Sequence, residues 1–538
     1  MRANVTLQLL PAVMVLGALT ACERPASTPS ADEAAATLAW VAAADIAELR
    51  AALDSGELTV EALVQQHLGR IEATNHAGPR LHAVLDVATD ALESARGLDA
   101  ELAAGNLRGP LHGIPILLKG NIDVRGIRNT AGCLAMDANV PAEDAFLVAR
   151  LREAGAVILG TANLSEWANF RSSRSSSGWS GAGGQTRNPH VLDRNPCGSS
   201  SGSAVAVAAG LCTVAIGTET DGSVVCPAGQ NGVVGIKPTL GLVSRGGIIP
   251  IAHSQDTAGP MGRTVRDAAL VLQAVAAVDP ADPTGAGVPE ELPDYTAALT
   301  RDARLDGMRL GVWRDHFGAG EDPDVEACLT AALETLRELG AEIVDPADLG
   351  DRNGLGSAEG AVLYTEFKYD LTAYLAAHGS PGGMATLQDI MAFHDAHADT
   401  AMPYFGYERF TEALESADLD SEEYTKALAD SKRISRQAID GALEKDGLNA
   451  IVAVTNSPAW PTDLVNGDHY LLSSSQLPAV SGYPNVTVPM CYVHELPVGL
   501  SILGTAFSEV ELLRVAHAFE QAANVWRAPR YLQTLDLQ

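Results

Sequence analysis

Asn195-Pro-Cys-Gly-Ser-Ser-Ser-Gly-Ser203 and Gly217-Thr-Glu-Thr-Asp-Gly-Ser223 are two loops rich in glycine and hydroxyl groups, separated by a small, apolar run. Ala204 to Ala209 reads as a buried helix and Leu211 to Ile216 as a strand. Loop, helix, strand and second loop return two serines to one neighbourhood, with backbone N–H groups free to point at whatever lies between them. Such an arrangement suits nucleophilic chemistry with an oxyanion hole. The flanking sequence alternates in the same way. Asp144 to Ala154 is an amphipathic helix closed by Gly155 and followed by the strand Ala156 to Leu159. Val325 to Leu339 reads as a helix and Glu342 to Val344 as a strand, while Leu448–Val454, Val486–Val488 and Val498–Leu503 are β-branched and buried in character. The pattern predicts an α/β fold: one large domain with a mixed, mostly covered β-sheet surrounded by helices.

Leu111-His-Gly-Ile-Pro-Ile-Leu-Leu-Lys119 supplies a third element, a short apolar strand that ends on a lysine. An amine in apolar surroundings loses solvation, its pKa falls, and its neutral form becomes a base. The alternative is a lysine that merely snorkels at a strand end. Three chemistries compete for the central loops. A phosphate cradle would need a Lys after a Gly-x-x-x-x-Gly run, and none follows. A Ser-His-Asp hydrolase would need a Gly-x-Ser-x-Gly elbow between strand and helix; Gly198 to Gly202 matches that only loosely. A Ser-plus-Lys hydrolase finds every part present.

The bounds are consistent with an enzyme of some size. The chain has 538 residues, 46% of them hydrophobic, and a formal charge of −31 unbroken by any Lys/Arg cluster, which argues against nucleic acid as a partner. Arg2, the apolar run Leu9–Leu19 and Leu19-Thr-Ala-Cys22 read as an export signal over residues 1–22. The ending resembles a bacterial lipobox, which implies lipid attachment at Cys22 and anchoring to the cell envelope, periplasmic side, with the outer membrane preferred. No other run is long enough to span a bilayer. Residues 23–39, rich in Pro, Ala and Ser, read as a flexible tether, and residues 40–538 as the folded domain. Cys133, Cys197, Cys212, Cys226, Cys328 and Cys491 lack metal-site spacing and are expected as buried thiols. His394 and His397 lie an i,i+3 step apart and are expected on a surface helix, without a metal. Pro280 to Asp306 reads as a surface excursion, and Glu408 to Lys445 as a solvated helical face.

The motifs from Gly109 to Asp267 resemble the amidase signature family. They are Gly113-Ile-Pro with Lys119, Cys197 to Ser203, Gly217 to Ser223, Gly235-Ile-Lys-Pro-Thr-Leu-Gly241, and Asp256-Thr-Ala-Gly-Pro260 with Arg263. Asn163 to Phe170, Gly183 to Pro189 and Ser223-Val-Val-Cys-Pro227 are similar to bacterial peptide amidases in particular. The resemblance implies a Ser-Ser-Lys triad with no cofactor. Ser223 would be the nucleophile that forms an acyl-enzyme, Lys119 the neutral base, and Ser199 the relay between them. The N–H groups of Thr220, Asp221, Gly222 and Ser223 would form the oxyanion hole, and the Gly198–Ser199 peptide bond would be cis. Two positions depart from common family patterns: Gly120 stands where many relatives carry Asp, and Val225 where many carry Arg. The expected substrates are small-molecule or peptide amides, C-terminal carboxamides foremost, with release of ammonia. Two alternatives stay open: a glutamine-hydrolysing amidotransferase subunit, and a non-catalytic solute-binding lipoprotein. Trp167, Phe170, Trp179, Trp460 and Tyr483 are candidates for an apolar pocket wall.

Overall fold

The computed structural model describes Met1 and residues 40–537; the remainder of the predicted signal segment, Cys22 included, and the tether 23–39 lie outside the described residues. Order begins as the capping residues dictate. Asp45 accepts from the N–H of Glu48 while the Glu48 side chain returns to Asp45, a reciprocal cap for the helix Ile46–Ser55, and Gly56 closes it at a φ of 76°. Thr59 caps Val60–Arg70 in turn.

In chain order the strands are β1 (Val84–Val87), β2 (Pro115–Lys119), β3 (Val157–Ala162), β4 (Trp179–Ser180), β5 (Gly184–Gln185), β6 (Val214–Glu219), β7 (Val234–Lys237), β8 (Thr257–Gly262), β9 (Arg309–Val312), β10 (Glu342–Val344), β11 (Ala450–Val454), β12 (Asn485–Val493) and β13 (Leu496–Leu503). The short β4 and β5 pair with each other alone, and the other strands form one mixed, 11-stranded sheet. Its order is β1-β3-β2-β6-β8-β7-β12-β13-β11-β9-β10. β3, β2 and β6 run parallel, and so do β11, β9 and β10; the pairs from β6 to β11 are antiparallel. β2, β3, β6, β8 and β13 are buried at every position, so their sequences show no apolar/polar alternation. One core cluster runs from Val41 to Phe519. The expected single α/β domain is thus the one observed.

Several local expectations need correction. The strand after the Gly/Ser loop begins at Val214, because Gly210 at a φ of 67° turns the chain and Leu211–Thr213 complete that turn. Pro280–Asp306 is not merely superficial: Tyr295, Leu299 and Leu305 are buried in the main core. The charged run divides into the helices Glu408–Glu415 and Glu422–Asp446, and the second buries Tyr424, Ser435 and Ile439 against the body. Four of the six cysteines pair, Cys197 with Cys226 and Cys328 with Cys491, each with Cα atoms 6.0 Å apart. Only Cys133 and Cys212 are buried thiols. His394 is fully buried rather than on a surface. Its Nε2 lies 3.3 Å from Glu166 Oε1 and 3.3 Å from the Arg171 guanidinium, with Cys133 Sγ at 3.8 Å. Arg171 is ion-paired to Glu166, so this cluster already holds its own cation.

Candidate active site

β2 ends on Lys119 and its parallel neighbour β6 places Leu118 opposite Ile216, so the lysine emerges beside Thr218 at the carboxyl ends of both strands. Lys119 Nζ lies 2.8 Å from Thr218 Oγ1, 3.1 Å from Thr218 O and 2.7 Å from Ser199 Oγ. The side chain is 0% exposed. Burial pulls its pKa down to about 7, against the opposing pull of Asp256 and Glu219. As an ammonium Nζ donates to all three oxygens, and loss of one proton leaves a lone pair for one of the two hydroxyl groups.

Ser199 follows a cis Gly198–Ser199 peptide bond, as expected. Its carbonyl accepts from the N–H of Ser165, and the N–H of Gly202 donates to the carbonyl of Asn163. The segment Asn163–Phe170 therefore backs the loop. Gly202 permits that approach, since a Cβ there would lie 2.3 Å from the carbonyl oxygen of Ala83 and 2.4 Å from that of Asn163. The other serines of the loop are structural. Ser200 Oγ accepts from the N–H of Thr218 and donates to its carbonyl; Ser201 and Ser203 donate to the carbonyls of Cys197 and Ile216. The buried helix Ser201–Ala208 that follows is built of small residues for the same packing.

Ser223 is 7% exposed and lines a cleft of about 400 Å³. Among the described residues its Oγ has no hydrogen-bond partner, and the N–H groups of Asp221, Gly222 and Ser223 find no acceptor. Thr220 is held by its Oγ1, which donates to Asp256 at 2.5 Å. Glu219 accepts from the N–H groups of Val224 and Val225, fixing the turn from β6 into the helix Val225–Gln230. The N–H of Ser200 donates to the carbonyl of Ser223 at 3.2 Å, which brings the two loops into contact. The Cys197–Cys226 disulfide ties them a second time. Lys119 and Ser199 are thus directly linked, whereas no hydrogen bond joins Ser199 to Ser223 among the described residues.

Sequence reasoning missed most of the cleft wall. Asn169, Ser172, Ser175, Arg409, Asn466, Asp468 and Tyr470 line it. They come from loops and a charged helix, with no periodicity to mark them. The five aromatics nominated for a pocket wall are core residues: Trp167 and Phe170 pack with Phe367, Trp460 packs on the disulfide, and Trp179 and Tyr483 are buried. The departure at Gly120 has a steric reason. A Cβ there would lie 2.7 Å from Leu85 and 3.1 Å from the carbonyl oxygen of Ala162. Asn121 instead reaches Thr218 Oγ1 at 3.0 Å. Val225 is buried and contributes its N–H to Glu219, not a charge to the cleft.

Residues 62–513 match the family model described as Amidase. The crystal structure of native peptide amidase from Stenotrophomonas maltophilia is 47% identical with a TM-score of 0.87, covering 90% of this chain and 98% of that one. A probable amidase of Arabidopsis thaliana is 39% identical over 501 residues, 91% of this chain and 92% of the relative. A glutamyl-tRNA(Gln) amidotransferase subunit of Roseiflexus castenholzii is 37% identical over 503 residues, 89% and 96% of the two chains. These relatives overturn the expected localisation. They are described as a probable amidase and a component of an amidotransferase, matched along nearly their whole lengths, and neither is described as an envelope lipoprotein. Among the described residues no helix is long and apolar enough to cross a membrane.

Proposed function

The chain belongs to the amidase signature family of amide hydrolases, and from that premise we propose that it releases ammonia from C-terminal carboxamides of peptides through a Ser-Ser-Lys triad. The observation that carries the reading is the buried contact of 2.7 Å between Lys119 Nζ and Ser199 Oγ, with the amine near half-deprotonated at neutral pH. In this reading Ser223 Oγ attacks the carboxamide carbon as its proton passes to Ser199, whose own proton passes to Lys119. The carbonyl oxygen becomes an oxyanion and is met by the N–H groups of Thr220 to Ser223. When the C–N bond breaks, the proton returns from Lys119 through Ser199 to the nitrogen, and ammonia leaves. Water then repeats the path, freeing the acid and restoring the Ser223 hydroxyl.

The open Ser223 hydroxyl and the unengaged N–H groups beside it support this assignment, as does the similarity to the Stenotrophomonas peptide amidase. Ser223→Ala is expected to abolish ammonia release from an N-acyl dipeptide amide while leaving the circular dichroism spectrum and melting temperature close to those of the parent. Retained turnover would sink the reading. A second reading has the amidotransferase relatives behind it, namely hydrolysis of glutamine. The same assay with free glutamine separates the two, and the peptide amide is expected to be turned over faster.

A further inference from the structure

Between Asn195 and Thr239 every residue is buried except Asp221, which is exposed. That exposure faces the cleft, for Asp221 lines it together with Gly222 and Ser223. One carboxyl oxygen, Oδ1, accepts from Ser475 Oγ at 2.6 Å. Gly222 packs against the same hydroxyl; a Cβ there would lie 2.9 Å from it, so Ser475 braces this turn closely. Among the described residues Asp221 has no ion pair and Oδ2 has no donor.

The other charged groups of the cleft are already engaged. Asp468 accepts from the N–H and Oγ of Ser177, from Asn195 Nδ2 and from Trp460 Nε1. Arg409 donates to the carbonyl of Ser172 and to Tyr364 Oη, and its guanidinium lies over the ring of Phe170. Among the described residues Asp221 is therefore the acidic group of this cleft with a carboxyl oxygen left without a donor, while Arg409 keeps only donors to spare. Burial of its surroundings and the nearby Glu359 and Glu219 push its pKa up, with Ser475 and Lys237 acting the other way. Protonated or ionised, the carboxyl group keeps acceptor capacity beyond its bond with Ser475, and the ionised form is the stronger acceptor.

An amide held at Ser223 presents N–H donors on both sides of the reacting carbon: the leaving NH₂, and the N–H of the preceding peptide bond. We propose that the Asp221 carboxyl group is a specificity-determining element that accepts a hydrogen bond from a substrate N–H next to the reacting carbonyl, separately from the part its backbone N–H plays in the oxyanion hole. The inference rests on the reading of Ser223 as the attacked position. It deepens that reading by naming what distinguishes a peptide amide from an ester or a simple acid derivative in this cleft.

Three substrates with one acyl skeleton test it: an N-acyl amino-acid amide, its methyl ester, which lacks the leaving N–H, and the O-acyl 2-hydroxy-acid amide, which lacks the preceding one. kcat/KM is measured for each with the parent, Asp221→Ala and Asp221→Asn. In Asp221→Ala the amide is expected to lose about 3- to 10-fold relative to one of the two analogues, the range for an uncharged hydrogen bond, and more as the pH is raised and the group ionises. The analogue against which it loses identifies the N–H that is read. Asp221→Asn keeps a carbonyl acceptor and is expected to recover part of the ratio. Because each ratio is taken within one variant, a fraction of misfolded protein cancels. An equal fall on all three substrates would overturn the role of Asp221 and leave that of Ser223 standing, whereas turnover retained in Ser223→Ala would overturn the latter.

Discussion

In the proposed triad Lys119 would act as a base only in its neutral form, and its surroundings determine how much of that form exists. Desolvation brings its pKa down to about 7, so the neutral fraction rises as pH rises through that value. For an uncharged peptide amide, log kcat/KM is expected to climb with unit slope below about pH 6 and to level off above about pH 8. The negative charge of Asp256 works in the opposite direction, holding the lysine's proton on. Asp256→Asn should therefore displace the rising limb to lower pH, whatever it does to the plateau; a profile that falls through pH 7, or a limb displaced upward, would remove Lys119 from the role. This residue was legible because an apolar strand flanked by Gly and Pro has few reasons to end on an amine. Asp221 was legible only as a backbone donor. Nothing in Gly217–Ser223 tells which side chain faces solvent, since that depends on Ser475, a residue 254 positions away in the chain.

The two Gly/Ser loops hold their positions through what lies behind them. The cis-bonded turn at Ser199 is backed by Asn163 and Ser165, and the Ser223 turn by Glu219 and Asp256. The Cys197–Cys226 disulfide, packed on Trp460, joins the two turns directly. A crosslink closing a loop of this length stabilises by about 2–4 kcal/mol, mainly by restricting the unfolded chain. Cys197→Ala with Cys226→Ala is expected to lower the urea midpoint accordingly. It should also lower kcat/KM for the peptide amide, as Ser199 and Ser223 lose their common anchor. Unchanged values of both would show that the hydrogen bonds alone fix the loops. Strands, caps and helices around these turns were readable from local pattern, usually within three residues. The pairing of cysteines was not, because Cys328 meets Cys491 only once the helix Pro323–Glu338 has packed beside β12. His394 failed for a similar reason: an i,i+3 spacing carries no information about Glu166 and Arg171, which the sheet brings to it.

At the scale of the whole molecule the dominant quantity is charge. A net −31 without a Lys/Arg cluster argued in the sequence against nucleic acid as a partner, and the cleft adds Asp221 and Asp468 against Arg409 alone. A field of that sign raises the local concentration of cations at the mouth of the cleft and repels anions, without altering the chemistry at Ser223. The field reaches about 30 Å at 0.01 M salt and about 10 Å at 0.1 M. Peptide amides that differ only by lysine, norleucine or glutamate two residues before the amide should therefore diverge at low salt and converge at high salt. From 0.01 M to 0.5 M, kcat/KM for the lysine substrate is expected to fall several-fold, that for glutamate to rise, and that for norleucine to stay within about twofold. The change should appear in kcat/KM and not in kcat, because steering acts before the substrate is bound. A lysine substrate insensitive to salt would mean that the surface charge does not reach the cleft, and preference would then lie with contacts inside it, Asp221 foremost.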